Sequence, residues 1–252
     1  MGQLLETKNL TKKFGGVKAV DELDFHIEEG EILGIIGPNG SGKTTLFSLI
    51  AGFHKPNNGT IFFLGEDITG LAPHKISRKG IVRSFQLNLL FSNFTVLKNV
   101  EMAYHLQRKA GPIVTFMGTR RAREEENELL EKAEKILELV GMNSRKDQFA
   151  MELSYGWQKT LTIAIGIAAD AKLLMLDEPI TGIAPDRVDA IAELIRIANR
   201  KGTTICLIEH NVAMIMDLCD RIVALNFGQK MADGVPEEVA HNEDVVQAYL
   251  GI

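Results

Sequence analysis

The sequence predicts an α/β protein: a parallel sheet flanked by helices, with an antiparallel β subdomain at the N-terminus and an inserted α-helical subdomain. Three observations carry that expectation. Short apolar runs at 32–36, 173–176, 203–208 and 222–225 alternate with stretches of helical period, the pattern of a parallel sheet covered on both faces. Ahead of and around the first of them lie alternating runs with Leu23, Phe25 and Ile27 in one and residues 60–64 in another, which read as antiparallel strands. Between about Leu87 and Leu153 the strand signal fades and charge concentrates.

Taken in order, the N-terminal runs predict a meander wrapped around the loop at 37–45, with Asn57-Asn58-Gly59 as its tight turn. The run 32–36 is a buried strand, and the stripe Leu46, Leu49 and Ile50 beyond the loop predicts a helix starting near Gly42. Residues 120–128 are densely charged, then Leu130, Ala133, Leu137 and Val140 recur at helical spacing until Gly141 stops the helix. Arg120, Arg121 and Arg123 read as a solvated helix start rather than a basic contact surface, because glutamates follow at once. Pro185 opens a helix whose Val188, Ile191, Ile195 and Ala198 share one face. The domain expectation is one unit over 4–250, its core and β subdomain made of 1–86 and 154–252 and its helical subdomain of 87–153.

The loop Gly37-Pro38-Asn39-Gly40-Ser41-Gly42-Lys43-Thr44-Thr45 carries the first functional signal. Glycine, four residues, glycine, lysine and a hydroxyl residue, set between a buried strand and a helix, form a cradle for a nucleoside triphosphate. Its glycines free the backbone so that successive N–H groups converge on phosphate oxygens, and the helix adds the positive end of its dipole. Lys43 would reach the β- and γ-phosphates, and the Thr44 hydroxyl would help hold Mg²⁺.

Asp177 and Glu178 end the run at 173–176, and a carboxylate at the carboxyl end of a strand faces the crevice where ligands sit in open α/β sheets. Asp177 would hold Mg²⁺ through its water shell, and Glu178 would orient or deprotonate an attacking water. His210 follows the next strand directly. His26, His54, His74, His105 and His241 have no metal-ligand spacing and receive no role.

Composition narrows the partners. A net charge of −5 over 252 residues gives no basic surface for nucleic acid. No apolar stretch reaches the ~18 residues of a membrane span, and residues 1–6 lack the basic start and apolar core of a signal peptide. The two cysteines, Cys206 and Cys219, read as buried small hydrophobes in a reducing compartment. The chain is expected to stay cytoplasmic.

With these residues in register, the chain resembles the ATP-binding subunit of an ABC transporter. Leu153-Ser154-Tyr155-Gly156-Trp157 is similar to the family signature Leu-Ser-Gly-Gly-Gln, Gln86 matches the glutamine loop, His210 the switch histidine, and Phe14 the aromatic that stacks on adenine. The resemblance implies a P-loop NTPase core with ATP and Mg²⁺ as its ligands. Lys43, Gln86, Glu178 and His210 would be catalytic, and Thr44, Gln86 and Asp177 would serve the metal. It also implies that 153–157 act on nucleotide held by a second ATPase subunit packed head to tail. The expected partners are that subunit, integral membrane permease subunits and, indirectly, a solute-binding protein, at the cytoplasmic face of the inner membrane.

Within that family the chain is most similar to the branched-chain amino acid importer ATPases. Residues 14–20, 52–56, Arg83-Ser84-Phe85-Gln86, 153–156 and 248–251 carry the likeness. Urea, amide and lipopolysaccharide-export ATPases share parts of it. A soluble ABC-type switch ATPase is the alternative of a different class, but such proteins usually carry two cassettes or long linkers. A nonhydrolysing scaffold would be expected to lack Lys43, Asp177 or Glu178.

Three positions depart from the pattern: Trp157 replaces the signature glutamine, Ala184 a common aspartate, and the helix at 159–163 is less basic. An indole donates one hydrogen bond and accepts none, so the signature half-site is altered. A heterodimer with one strong and one weak site is one consequence. The segment 87–96 is unusually apolar and is read two ways, as a groove receiving a helix of the permease or as the arm's own core.

Overall fold

A computed structural model describes residues 2–84, 90–105 and 120–250. Ten strands form two sheets among them. The first sheet contains β1 (Gln3–Phe14), β2 (Val17–Glu28), β4 (Asn58–Phe63) and β5 (Glu66–Asp67), all antiparallel in the order β2-β1-β4-β5. The second contains β3 (Ile32–Ile36), β6 (Ile81–Ser84), β7 (Leu173–Asp177), β8 (Thr204–Ile208), β9 (Arg221–Asn226) and β10 (Gln229–Gly234), in the order β10-β9-β3-β8-β7-β6. All its pairs are parallel except the β9–β10 hairpin, which the sequence reading did not anticipate.

Every residue of β3, β7 and β8 is buried, which is why these strands read as unbroken apolar runs. Their alternate side chains feed two cores. Leu33, Ile35, Met175, Cys206 and Ile208 pack with the first sheet and with α1 (Lys43–Ile50). Leu174, Leu176, Ile205 and Leu207 face the opposite core, formed with α5 (Tyr155–Ala168) and α6 (Pro185–Arg200). That second core continues through α5 to α3 (Val96–His105) and α4 (Arg120–Leu139), where Val100, Ala133 and Leu137 are fully or nearly fully buried. The remaining helices are α2 (Pro73–Arg78), α7 (Val212–Leu218), α8 (Pro236–Ala240) and α9 (Glu243–Leu250).

Two sequence expectations need correction. The N-terminal strands are not a meander, because the chain leaves after β2 to build β3 and α1, and β4 returns to pair with β1. Asn58-Gly59 is not a turn but lies within β4, where the register with β1 slips between Lys8 and Thr11. Gly59 takes φ +85 there, and a Cβ would come within 2.4 Å of the Asn9 carbonyl oxygen, so the glycine marks a bulge. The helix stop at Gly141 is as expected: its N–H donates to the Glu138 carbonyl and that of Met142 to Leu137, closing the end of α4.

Candidate functional site

The parallel order β3-β8-β7-β6 brings four strand ends to one edge. From them emerge the 37–45 loop, His210, Asp177-Glu178 and Arg83-Ser84, so residues far apart in sequence share one crevice. A cavity of about 270 Å³ opens there, lined by the loop from Asn39 to Thr45 with Ala19, Glu178 and His210.

The loop's shape depends on its glycines. Gly42 sits at φ +104 at the start of α1, where a Cβ would stand 2.3 Å from the Ala19 carbonyl oxygen, and at Gly37 a Cβ would stand 2.1 Å from that of Leu225. No side chain caps α1, which leaves its first-turn N–H groups facing the loop. Lys43 folds back across the loop, its Nζ donating to the carbonyls of Gly37 at 2.7 Å and Pro38 at 3.0 Å. Burial lowers the Lys43 pKa, an effect the charges of Glu178 and Asp177 oppose.

Glu178 is the first residue past β7 and adopts a left-handed backbone, φ +49. Its N–H donates to the Ile208 carbonyl at 2.9 Å, and its own carbonyl accepts from Lys159 Nζ at 2.9 Å. Its Oε1 lies 3.1 Å from His210 Nε2. A carboxylate oxygen that accepts in this pair requires the imidazole N–H to be on Nε2. The loop bearing His210 is in turn held by Glu209, a buried carboxylate that accepts from the N–H of Ile180 at 2.8 Å and of His210 at 3.1 Å.

Asp177 is anchored from behind. Its Oδ2 accepts from Arg83 Nη2 at 2.8 Å, while Arg83 Nη1 donates to Ser48 Oγ at 2.9 Å. Its backbone N–H reaches Ser84 Oγ at 3.3 Å. The other carboxylate oxygen, Oδ1, has no hydrogen-bond partner among the described residues. Thr44 hydroxyl and Asp177 Oδ1 are hard oxygen donors of the kind that suits Mg²⁺ with part of its water shell kept.

Other expected residues fall elsewhere or outside view. Gln86, with 87–89, lies outside the described residues, as do the side chains of 120–125. Phe14 does not line the loop cavity; it is half exposed, edge-on to His54 at 5.2 Å, with Lys12 Nζ 5.2 Å from its ring centre. None of 153–157 lines that cavity either. Ser154 is the uncapped N-cap residue of α5, and Tyr155 packs beside Gly182 in the turn after β7. Trp157 is held between two guanidinium groups, Arg187 at 3.7 Å and Arg145 at 4.6 Å from the ring centre. Ala184 is the N-cap of α6 and provides no side-chain bond.

Sequence reasoning missed the supporting residues Lys159, Glu209 and Arg187, and used Arg83 only as part of a string. Arg83 had a readable signal, a charge ending an apolar strand. Lys159 had none, since its partner is a backbone carbonyl.

A glycine-rich loop opposed by a carboxylate–imidazole pair at the carboxyl edge of a parallel sheet defines a nucleotide-binding ATPase. The chain belongs to the ABC transporter family, whose model matches residues 20–181, and a second model, for branched-chain amino acid ATP-binding cassette transporters, matches residues 229–252. It is 40% identical over 249 residues to the high-affinity branched-chain amino acid transport ATP-binding protein LivG of Salmonella typhimurium, covering 98% of each chain. It is 39% identical, with the same coverage, to BraF of Pseudomonas aeruginosa. The LivG-type protein of Archaeoglobus fulgidus is 37% identical over 99% of this chain and 96% of its own length. Among solved structures, the ADP conformation of MJ1267, an ATP-binding cassette of an ABC transporter, superposes with a TM-score of 0.86 at 33% identity over the whole of both chains.

Proposed function

We propose that this ATPase powers import of branched-chain amino acids, as a peripheral subunit on permease subunits at the cytoplasmic face of the membrane, served by a solute-binding protein. The observation that carries the catalytic part is the Glu178–His210 pair at the mouth of the 37–45 loop. The transport part is supported by likeness to LivG and BraF along nearly the whole chain. No helix among the described residues is long and apolar enough to cross a membrane.

In this reading the loop amides and Lys43 hold the β- and γ-phosphates, and Phe14 stacks on the adenine. Glu178 takes the proton of the attacking water, while His210, bonded to Glu178 through Nε2, holds that carboxylate toward the loop. Thr44, Gln86 and, through water, Asp177 would hold Mg²⁺, which would supply charge neutralisation at the phosphates. Residues 153–157 would contact the nucleotide of a second ATPase subunit packed head to tail. Loss of the γ-phosphate then removes the contacts favouring the closed dimer. We assign 87–153 to a helical subdomain and 1–86 with 154–252 to the core.

Phe91 and Phe94 favour the docking reading of the arm: they are 51% and 38% exposed and stack at 5.1 Å. Phe149 and Met151, also exposed, lie on the segment bonded to Phe94 and Ser92. An apolar patch of this kind suits a short amphipathic helix of a permease. Val96 serves the core instead, being fully buried.

The test is Glu178→Gln. It should keep ATP affinity and lose turnover by roughly 10²-fold or more, the usual worth of a general base. Hydrolysis at the parent rate would remove Glu178 from that role. Light scattering of the same variant should show a dimer with Mg²⁺-ATP and a monomer with Mg²⁺-ADP. A monomer in both favours a heterodimer with a sister subunit, which the altered half-site at Trp157 and Ala184 also suggests.

A further inference from the structure

Lys159 is a cation in the wrong place for a purely structural residue. It lies in the second turn of α5, is only 7% exposed, and makes no ion pair among the described residues. Its Nζ has two partners: the Glu178 carbonyl at 2.9 Å and the face of Tyr155, 5.3 Å to the ring centre. Burying an ammonium without a carboxylate is costly, and an apolar chain of the same length would fill the space at less expense.

The carbonyl it holds belongs to a residue in a strained conformation. Glu178, at φ +49, is a non-glycine residue in the left-handed region, a strained conformation that persists only where surrounding bonds over-determine it. Four bonds hold it: Glu178 N–H to Ile208, Lys159 to the Glu178 carbonyl, Oε1 to His210, and a longer one at 3.4 Å from the Thr181 N–H to the same carbonyl. The first and third come from β8 and the loop after it. Only the Lys159 bond comes from α5, the helix that begins with Tyr155 just after Ser154.

We propose that Lys159 is a positioning residue for hydrolysis: it fixes the backbone of Glu178 so that the carboxylate faces His210 and the loop, and it ties that aim to the helix carrying 154–157. The assignment rests on Glu178 being the general base. Lys159 touches no reacting atom in this scheme; it acts through the Glu178 carbonyl.

The test compares Lys159→Met and Lys159→Arg in the full chain, reading kcat, affinity for a fluorescent ATP analogue, and Tm. Lys159→Met should keep nucleotide affinity within about twofold and Tm at or above the parent, since it removes a desolvated charge, while kcat falls roughly tenfold. Lys159→Arg, which keeps a cationic donor, should recover most of the loss. Parent-level kcat in Lys159→Met, or a lowered Tm with kcat unchanged, overturns the proposal. If Lys159→Met fails to bind nucleotide, Lys159→Gln decides on the same readouts: it should retain affinity with reduced kcat, and an unchanged kcat overturns. Failure of the underlying reading is distinct, because Glu178→Gln would then hydrolyse ATP normally.

Discussion

Arg83 and Asp177 form a buried ion pair, Nη2 to Oδ2 at 2.8 Å, with side chains only 5% and 11% exposed. The guanidinium also bonds Ser48 on α1, so one side chain ties β6, β7 and the helix after the 37–45 loop. Removing one partner leaves the other charge buried and alone. Arg83→Met should therefore destabilise the fold by about 3–5 kcal/mol in urea titrations, whereas Arg83→Lys, which loses the fork geometry but not the charge, should cost less.

Trp157 and Arg187 should be energetically coupled, since the guanidinium carbon sits 3.7 Å from the ring centre. In a double-mutant cycle of Trp157→Leu and Arg187→Met the coupling should be about 0.5–2 kcal/mol. Additive single effects would show that the stack contributes nothing to stability.

Glu209 sets a pH dependence of stability. Burial raises its pKa, an effect opposed by the N–H groups of Ile180, His210 and Asn211. The native state thus holds the proton to higher pH than the unfolded chain. Its contribution is full below the unfolded pKa and declines as pH rises through the native one. Relative to the parent, Glu209→Gln should lack that decline above the ordinary carboxylate range, measured by denaturant titration at a series of pH values. It should also be less stable by about 1–3 kcal/mol at low pH, because a buried N–H loses its acceptor.

Both thiols should be inert in the native protein. Cys219 is pushed up to about 12 and Cys206 well above its ordinary value, in each case chiefly by burial. Iodoacetamide at pH 8 should label neither until denaturant is added, when both react.

Gly42→Ala should abolish nucleotide binding and lower Tm, since the Cβ meets the Ala19 carbonyl at 2.3 Å and the residue must hold φ +104. Equilibrium binding of a fluorescent ATP analogue, alongside a thermal melt, checks both halves.

What the sequence by itself determined is whatever rides on local spacing. Buried strands showed as apolar runs because both faces of the second sheet are covered, and the 37–45 loop was readable because each of its positions answers to backbone geometry or phosphate charge. Asp177, Glu178 and His210 were found because they follow those runs directly. Only the tertiary structure decided which ends meet. The return of β4 to β1 and the bulge at Gly59 depend on pairing between distant segments, which no local period encodes. The same holds for the supports of the site. Arg83 on Asp177, Lys159 on the Glu178 carbonyl and Glu209 on Ile180 are single contacts from separate elements, legible only once the sheet has placed those elements at one edge.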